Sequence, residues 1–375
     1  MLKEMRHTKG AATSTVAAPS SIKSKKRLIW LDMAKGLAIA MVVLGHCLSY
    51  DSPIRDFIYS FHMPIFFMLA GFTMRPKSRM EVLGSSVRRL MVPYLLVCAV
   101  LLFFAFVPPS SINPNLDTQK DWLTVLCEIA YASGCETDFL GFHLEAIGAI
   151  WFLPCLLVAR LVYNEVLLQA AKTSKAELLV STLAVAAIAF AGYKIGEQIR
   201  LPWSIDTALV VLLYLHVGQL ARRFDFTRWP IIAWVVLALI WWHGYDSGTD
   251  IAVRTYLEKP MDLVYSTAAS LVVMRACALI EQVLDYSNIA SCNLSALAKL
   301  LARLGIASLT VLCVHRLESA VFNWQKIMEF FAPSVWNWPE LLQGLYQFSL
   351  RFALVITITV AYLAIKDRLK RKLRV

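Results

Sequence analysis

The sequence predicts an all-α, polytopic integral membrane protein with about ten transmembrane helices and both termini in the cytoplasm. Three observations predict this fold class: an apolar composition, a series of long apolar segments, and an uneven distribution of lysine and arginine. Of the 375 residues, 58% are hydrophobic and only 17% are charged, and the mean hydropathy is +0.59. Soluble domains average about 45–50% apolar and about 25% charged residues. The membrane core is expected to be helical, because a helix satisfies its own backbone polar groups.

A helix needs about 20 apolar residues to cross a bilayer. Ten segments approach that length and are predicted as spans: about 28–49, 58–74, 90–107, 146–166, 177–195, 204–221, 230–243, 262–284, 304–323 and 341–365. Residues 27–366 therefore form the predicted transmembrane domain. Met1–Lys26 is polar and lacks aromatic residues, which predicts a disordered cytoplasmic tail, and 367–375 is predicted to be a basic cytoplasmic tail.

The basic residues orient this topology. With ten crossings and a cytoplasmic N-terminus, 25 Lys and Arg fall on the inside and seven on the outside. This asymmetry is typical of membrane proteins, whose cytoplasmic loops are rich in Lys and Arg. The net charge of +11 is therefore attributed to the basic cytoplasmic segments and to their attraction to anionic lipid headgroups. No nucleic-acid partner is predicted.

The longest predicted outer segment is Pro108–Glu145. Its apolar run Trp122–Ala132 is too short to span and is predicted to be an interfacial or re-entrant helix. Cys127 and Cys135 lie in this segment and could pair. The eight cysteines show no zinc-binding spacing, so no metal site is predicted.

Polar residues in the first two apolar segments mark a candidate site. The first segment carries Asp32, Lys35 and His46, and the second carries His62. An ionisable group at bilayer depth costs roughly 2.5–3.5 kcal/mol on insertion scales, so it indicates function unless it is satisfied by packing. Lys35 could also snorkel to the inner interface, and the histidines could be packing residues. Four such residues in two adjacent spans favour a site.

Helix geometry relates these residues. Eleven residues separate Lys35 from His46, about 16 Å along a helix axis. Asp32 and Lys35 stand three residues apart and can pair on one face. His46 and His62 flank the predicted turn symmetrically, so they are expected to face one cavity in the outer half. Imidazole suits proton transfer near neutral pH, and a lysine on the cytoplasmic side suits an anionic ligand.

The hairpin resembles the membrane acyltransferase-3 family. LDMAKGLAIAMVVLGH matches its pattern of a basic residue, ten residues and a histidine, and FHMPIFFMLAGF is similar to its second-helix motif. Further similar segments are RRLMVPY, AIWFLPCL, LLYLHVGQLARR and ASLTVLCVH, so the resemblance covers roughly 27–366. Many members carry Arg-x-x-Arg before the third span. Here Ser86 stands at the first position of this motif, and Arg88 is the candidate substitute, so the role of the arginine pair stays open.

The resemblance implies a fold of about ten transmembrane helices and an O-acetyltransferase of the cell membrane. The acyl donor would be acetyl-CoA, and the acceptor a hydroxyl of a cell-surface, exported or lipid-linked glycan. No appended hydrolase-like domain is expected, so the acyl group would reach its acceptor directly or through a partner. His46 would act as general base or as transient acyl carrier.

The other predicted roles complete the cavity. His62 and Lys35 are the further catalytic candidates, and Arg88, Arg89, Arg75 and Lys35 are expected to hold the phosphates of the donor. The expected acceptor-binding residues are Trp151, Glu145 and His315. Glu318 shares a face with His315, and the outer interface explains it equally well. Arg160, Arg275 and Arg351 are partners for acidic groups or phosphates, or they snorkel, whereas Asp206 and Asp262 are interpreted as helix N-caps.

Other functions fit the same residues. Ten helices with intramembrane charges also suit a transporter or flippase for a polar substrate. The same fold could transfer another acyl group, such as succinyl, or form a sensor domain without turnover. Consumption of acetyl-CoA by the purified protein would separate an enzyme from a carrier. The sequence leaves the acceptor sugar and the oligomeric state open.

Overall fold

The computed structural model of the chain describes residues 27–106, 122–139, 141–286 and 293–372. The predicted tail Met1–Lys26 lies outside the described residues, as do 373–375 of the predicted basic tail. The helices within the described ranges are, in chain order, α1 (Ile29–Gly45), α2 (Pro53–Tyr59), α3 (Pro64–Thr73), α4 (Arg79–Ser86), α5 (Val92–Phe106), α6 (Trp122–Tyr131), α7 (Phe152–Ala170), α8 (Glu177–Gln198), α9 (Ile205–Val210), α10 (Leu212–Arg223), α11 (Ile231–Gly244), α12 (Asp262–Tyr286), α13 (Asn293–Ile306), α14 (Ser308–Val321), α15 (Trp324–Phe331) and α16 (Glu340–Lys372).

The ten predicted segments all fall on helices, which agrees with a helical membrane protein. In the described part of the chain, four helical stretches have the length and apolar composition to cross a membrane: Arg79–Phe104, Ala149–Gln198, Asp262–Leu284 and Glu340–Lys372. The number rises to six if each of two bent helix pairs counts as one span. Ten crossings and cytoplasmic termini stay predictions, because several helices, such as the 17-residue α1, are shorter than a full crossing.

Apolar side chains cover much of the outer surface. Leu96 and Phe103 of α5 are 61% and 62% exposed, and Ile231 of α11 is 77% exposed. Val360 of α16 is 60% exposed. Soluble monomers rarely expose continuous apolar faces of this kind, whereas lipid chains cover them at no cost. The exposed faces therefore support the membrane location that the composition predicts.

Two helices are broken in ways that the apolar pattern did not predict. The segment predicted at 304–323 is preceded by a separate helix, α13, and α13 and α14 meet at a 72° bend. The stretch Pro202–Val210 meets α10 at 46°. Irregular backbone at membrane depth is tolerated where it is covered by protein or lines a cavity. The bend between α13 and α14 lines a cavity, to which Gly305, Ile306 and Ser308 contribute.

Glycines allow the backbones of α1 and α13 to touch. A Cβ added to Gly36 would lie 1.9 Å from the carbonyl oxygen of Leu301, and one on Gly305 would lie 1.8 Å from that of Asp32. Small residues permit such close approach between membrane helices. Helices α3 and α10 approach each other in the same way. These crossings fix the Asp32–Gly36 turn of α1 against the end of α13.

Gly305→Ala is expected to destabilise the protein, because the added methyl group forces α1 and α13 apart. Overpacking of this kind costs about 1–3 kcal/mol. The thermal midpoint of the detergent-solubilised protein, followed by tryptophan fluorescence, should fall by several degrees. Gly84→Ala in α4 is the matched control, since no atom lies within 4 Å of its added Cβ. Equal midpoints for the two variants would contradict the close crossing.

The segment between α5 and α7 contains α6 and a small hairpin. Helix α6 has ten residues and is too short to span, as the sequence predicts. Strands β1 (Thr137–Phe139) and β2 (Phe142–Leu144) pair antiparallel, an element that the all-α prediction did not include. Cys127 and Cys135 are free thiols in the structure and form no disulfide. The Cys135 sulfur instead accepts a hydrogen bond from Arg254 Nη1 at 2.9 Å.

Candidate active site

Two cavities follow one another along the same face of α1. The first, here called the basic cavity, has a volume of about 330 Å³ and is lined by Lys35, Ile39 and Val42 of α1. The second, the histidine cavity, has a volume of about 250 Å³ and is lined by His46 at the C-terminal end of this helix. Spacings of three and four residues place side chains on one helix face. Val42 and His46 are four residues apart, so about 6 Å of helix rise separates the two linings.

Helix α14 lines both cavities from the opposite side. Leu309 and Leu312 contribute to the basic cavity. His315 and Ser319, further along the same face, contribute to the histidine cavity. The bend between α13 and α14 brings α14 into this position, because α13 is held against α1 at Gly305. The two helices therefore face each other across both cavities, and the two linings together form a row of side chains, here called the path, from Lys35 to His46.

Cationic side chains line the basic cavity. Lys35, Arg89 and Arg160 all contribute to it, and Arg89 is exposed at its mouth. Arg89 lies in a single π-helical turn, Val87–Met91, which joins α4 to α5. Such turns recur at functional sites. The Arg160 Nε atom is buried and has no hydrogen-bond partner among the described residues.

The charge pairing in the basic cavity differs from the expected pairing. Asp32 does not pair with Lys35 but accepts a hydrogen bond from Arg27 Nε at 2.5 Å. The Lys35 ammonium group is thus left to face the cavity. Arg88 and Arg75, which were also expected to hold phosphates, are exposed and lie outside the cavity lining. Arg160 instead lines the cavity beside Lys35 and Arg89.

The histidine cavity holds a pair of imidazoles. The ring centroids of His46 and His315 lie 5.3 Å apart. His46 is exposed to the cavity, whereas His315 is only 2% exposed. The sequence predicted a pair of His46 with His62, with His315 positioning the acceptor. In the structure His315 is the imidazole beside His46.

His62 lies behind Tyr59 and lines neither cavity. The His62 ring centroid is 4.4 Å from that of Tyr59, which in turn is 6.4 Å from that of His46. The His62 Nδ1 atom lies 3.0 Å from the carbonyl oxygen of Ile58. The predicted helix is broken here, because α2 ends at Tyr59 and α3 begins at Pro64. This break places His62 away from the cavity that it was expected to share with His46.

A buried carboxylate holds the second imidazole. Glu318 Oε1 lies 2.7 Å from His315 Nδ1 and accepts hydrogen bonds from Arg351 Nε and Nη2 at 3.0 and 2.8 Å. Its Oε2 atom accepts from Trp324 Nε1 at 2.5 Å. Glu318 is 2% exposed, so an outer-interface position does not explain it. Arg351 also donates to the carbonyl oxygen of His46 at 3.4 Å, which ties α16 to the end of α1.

The two remaining acceptor-binding candidates lie outside both linings. Trp151 is 4% exposed and packs against Gly134. Glu145 is exposed, and its backbone N–H donates to Glu128 Oε1 at 3.1 Å. The histidine cavity is instead lined from this segment by Gly148 and Ala149. Within the described residues, no group of three or more His, Cys, Asp or Glu side chains is arranged to hold a metal ion.

Comparison with known proteins connects this geometry to a family. A family model described as an acyltransferase domain matches residues 28–366. A nodulation protein NolL of Sinorhizobium fredii is 29% identical over 153 residues, which cover 37% of this chain and 36% of the relative. A nodulation protein NolL of Mesorhizobium japonicum is 26% identical over 145 residues, 35% of this chain and 33% of the relative. The chain therefore spans only about a third of these curated relatives, and no solved structure matches it significantly.

Proposed function

The chain belongs to the acyltransferase-3 family, and from this membership we propose that it is a membrane O-acetyltransferase. It takes an acetyl group from cytoplasmic acetyl-CoA and transfers it to a hydroxyl of a cell-surface, exported or lipid-linked glycan. The predicted enzyme class, an acyltransferase, agrees with the family. The donor, the acceptor and the location in the cell membrane are parts of the proposal.

The observation that carries the proposal is the path along α1, which has a cationic cavity at one end and a pair of imidazoles at the other. Phosphates of a CoA donor are anionic, and Lys35, Arg89 and Arg160 supply positive charge at one end of the path. A volume of about 330 Å³ lies within the range of small-molecule sites. The pantetheine arm then extends past Ile39 and Val42, so that the thioester reaches His46.

The positive-inside distribution gives this path a direction. Lys35 lies towards the predicted cytoplasmic side, where acetyl-CoA is made available, and His46 lies towards the outer half. The donor therefore enters at the basic cavity and the acceptor at the histidine cavity. The reaction needs a general base for the acceptor hydroxyl and, if transfer is stepwise, a transient acyl carrier; His46 is placed for either role.

Purified protein in detergent tests the proposal. It is expected to release free CoA from acetyl-CoA when a surface-glycan preparation from the native cell is added. The glycan should gain O-acetyl signals in NMR spectra. A transporter would leave acetyl-CoA intact, and an enzyme for another acyl group would consume, for example, succinyl-CoA instead. Deletion in the native cell, followed by NMR of its glycans, then identifies the acceptor.

Lys35→Ala and Arg160→Gln are expected to raise the KM for acetyl-CoA without changing the KM for the glycan. Each removes one charged contact to the donor, worth about 1.5–3 kcal/mol, which corresponds to about a 10- to 100-fold change. Initial rates of CoA release at varied acetyl-CoA concentrations measure the effect.

Arg275→Gln is the matched control for these variants. Arg275, like Arg160, is half-buried and has a buried guanidinium nitrogen without a hydrogen-bond partner among the described residues. It lies over the Trp234 ring, away from both cavities. If only the KM for the glycan changed, or if the Arg160 and Arg275 variants changed the KM for acetyl-CoA equally, the basic cavity would not be the donor site.

A further inference from the structure

We infer that His315, and not His46, takes the proton from the acceptor hydroxyl, and that Glu318 is the positioning residue that holds His315 in the tautomer this step needs. This inference rests on the proposed acetyl transfer and assigns roles within it. The acceptor oxygen attacks the acetyl carbonyl carbon while its proton passes to His315 Nε2. The bond from that carbon to the leaving atom breaks, and His315 returns the proton to that atom. The leaving atom is the thiol sulfur of CoA, or a ring nitrogen of His46 if this residue carries the acetyl group.

Hydrogen bonding fixes which nitrogen of His315 acts as the base. Glu318 is paired with Arg351, and an ionised carboxylate can only accept hydrogen bonds. His315 Nδ1, at 2.7 Å, must therefore carry the proton and donate it to Glu318. The neutral ring then has its lone pair on Nε2. The structure gives Nε2 no hydrogen-bond partner among the described residues, and His315 lines the histidine cavity.

The surrounding charges make His315 a better proton holder than His46. Glu318 and Arg351 balance each other, and Arg316 adds one positive charge to the lining of the cavity. When a proton arrives on His315, the carboxylate of Glu318 lies in direct contact with the new positive charge. His46 is close to His315, and no carboxylate among the described residues forms a hydrogen bond or salt bridge with its ring. A proton taken up at this pair is thus most stable on His315.

The neighbouring helices supply the remaining titratable and charged groups. Arg316 lies on α14 beside His315, and its Nε atom donates to the carbonyl oxygen of Ile147 at 2.7 Å. Arg351 comes from α16, and His46 and Cys47 come from the end of α1. The Cys47 sulfur donates to the carbonyl oxygen of Val43. Glu318 is therefore the carboxylate that the described structure places against His315.

His315→Asn separates a proton-transfer role from a structural one. The asparagine amide nitrogen can take the place of Nδ1 and donate to Glu318, but nothing replaces Nε2. We expect kcat for acetyl transfer to a native surface-glycan preparation to fall by about 10²–10⁴-fold, with the KM for acetyl-CoA unchanged within about twofold. Glu318→Gln should lower kcat in the same direction. Free imidazole should restore part of the activity of His315→Ala.

His216→Asn is the matched control. His216 is also buried, with Nδ1 3.1 Å from the Tyr163 hydroxyl and Nε2 2.9 Å from the Thr182 hydroxyl, and it lines neither cavity. This variant should keep the wild-type kcat. Wild-type kcat in a folded His315→Asn protein would overturn the inference, and so would a loss in His315→Ala that imidazole does not restore. Absence of transfer by the wild-type protein would instead refute the proposed function.

Discussion

His46→Ala is expected to lower acetyl transfer by about 10²–10⁴-fold while the protein still folds and inserts in the membrane. His46 is the exposed member of the imidazole pair and stands where the path along α1 enters the histidine cavity. It caps the C-terminal end of α1 through its backbone, and an alanine keeps that backbone contact. The change therefore removes the reactive ring and leaves the helix intact. Initial rates of CoA release and size-exclusion profiles in detergent measure the two effects.

The control for this variant is His243→Ala. His243 is likewise an exposed histidine near the end of a helix, α11, and its ring packs against Tyr265 outside both cavities. Its rate should equal that of the wild type. Wild-type-like transfer by His46→Ala would remove His46 from the mechanism. Mass spectrometry of protein quenched after incubation with acetyl-CoA alone shows whether His46 is the acyl carrier, because only a carrier gains an acetyl group before the acceptor arrives.

The sequence predicted the local part of this site well. Lys35 and His46 lie on one face of α1 because their spacing is a property of a continuous helix, and α1 is continuous between them. The polar residues in an apolar segment identified the same stretch of chain. The periodicity of α14 likewise relates His315 to Glu318 within one helix. The relative positions of residues on a single helix could therefore be predicted from their spacing alone.

The rest of the site depends on contacts between distant segments. Arg351 comes from α16 and meets Glu318 across 33 positions of sequence, so no local pattern links them. Arg160 reaches the basic cavity from α7. The position of His62 was misjudged for a different reason. Pro64 has no backbone N–H, so it cannot continue the helical hydrogen bonds of α2, and the chain forms turns between α2 and α3.

A second buried ion pair also depends on a contact between distant segments, which the sequence pattern did not predict. Asp206 opens a predicted span and was interpreted as an N-cap, but the structure gives it a different partner. Arg254, in the segment between α11 and α12, donates from Nε to Asp206 Oδ2 at 2.5 Å and from Nη2 to Oδ1 at 3.0 Å. Both side chains are 0% exposed. The backbone N–H of Leu201 also donates to Asp206 Oδ1, and Arg254 Nη1 donates to the Cys135 sulfur, so the pair joins three segments of the chain.

Arg254→Met is expected to destabilise the protein by about 3–5 kcal/mol, because it leaves the Asp206 carboxylate buried without its cation. Thermal midpoints in detergent, read by tryptophan fluorescence, should fall well below that of the wild type. The double variant Asp206→Leu with Arg254→Met should lose less than the single variant, since neither charge then remains in the interior. Lys194→Ala is the control, because its ion pair with Glu197 is at the surface, where water and salt screen it, and contributes little to stability. If the double variant lost as much stability as the Asp206→Leu and Arg254→Met single variants together, the two charges would not be coupled. The fold would then depend on packing alone at this position.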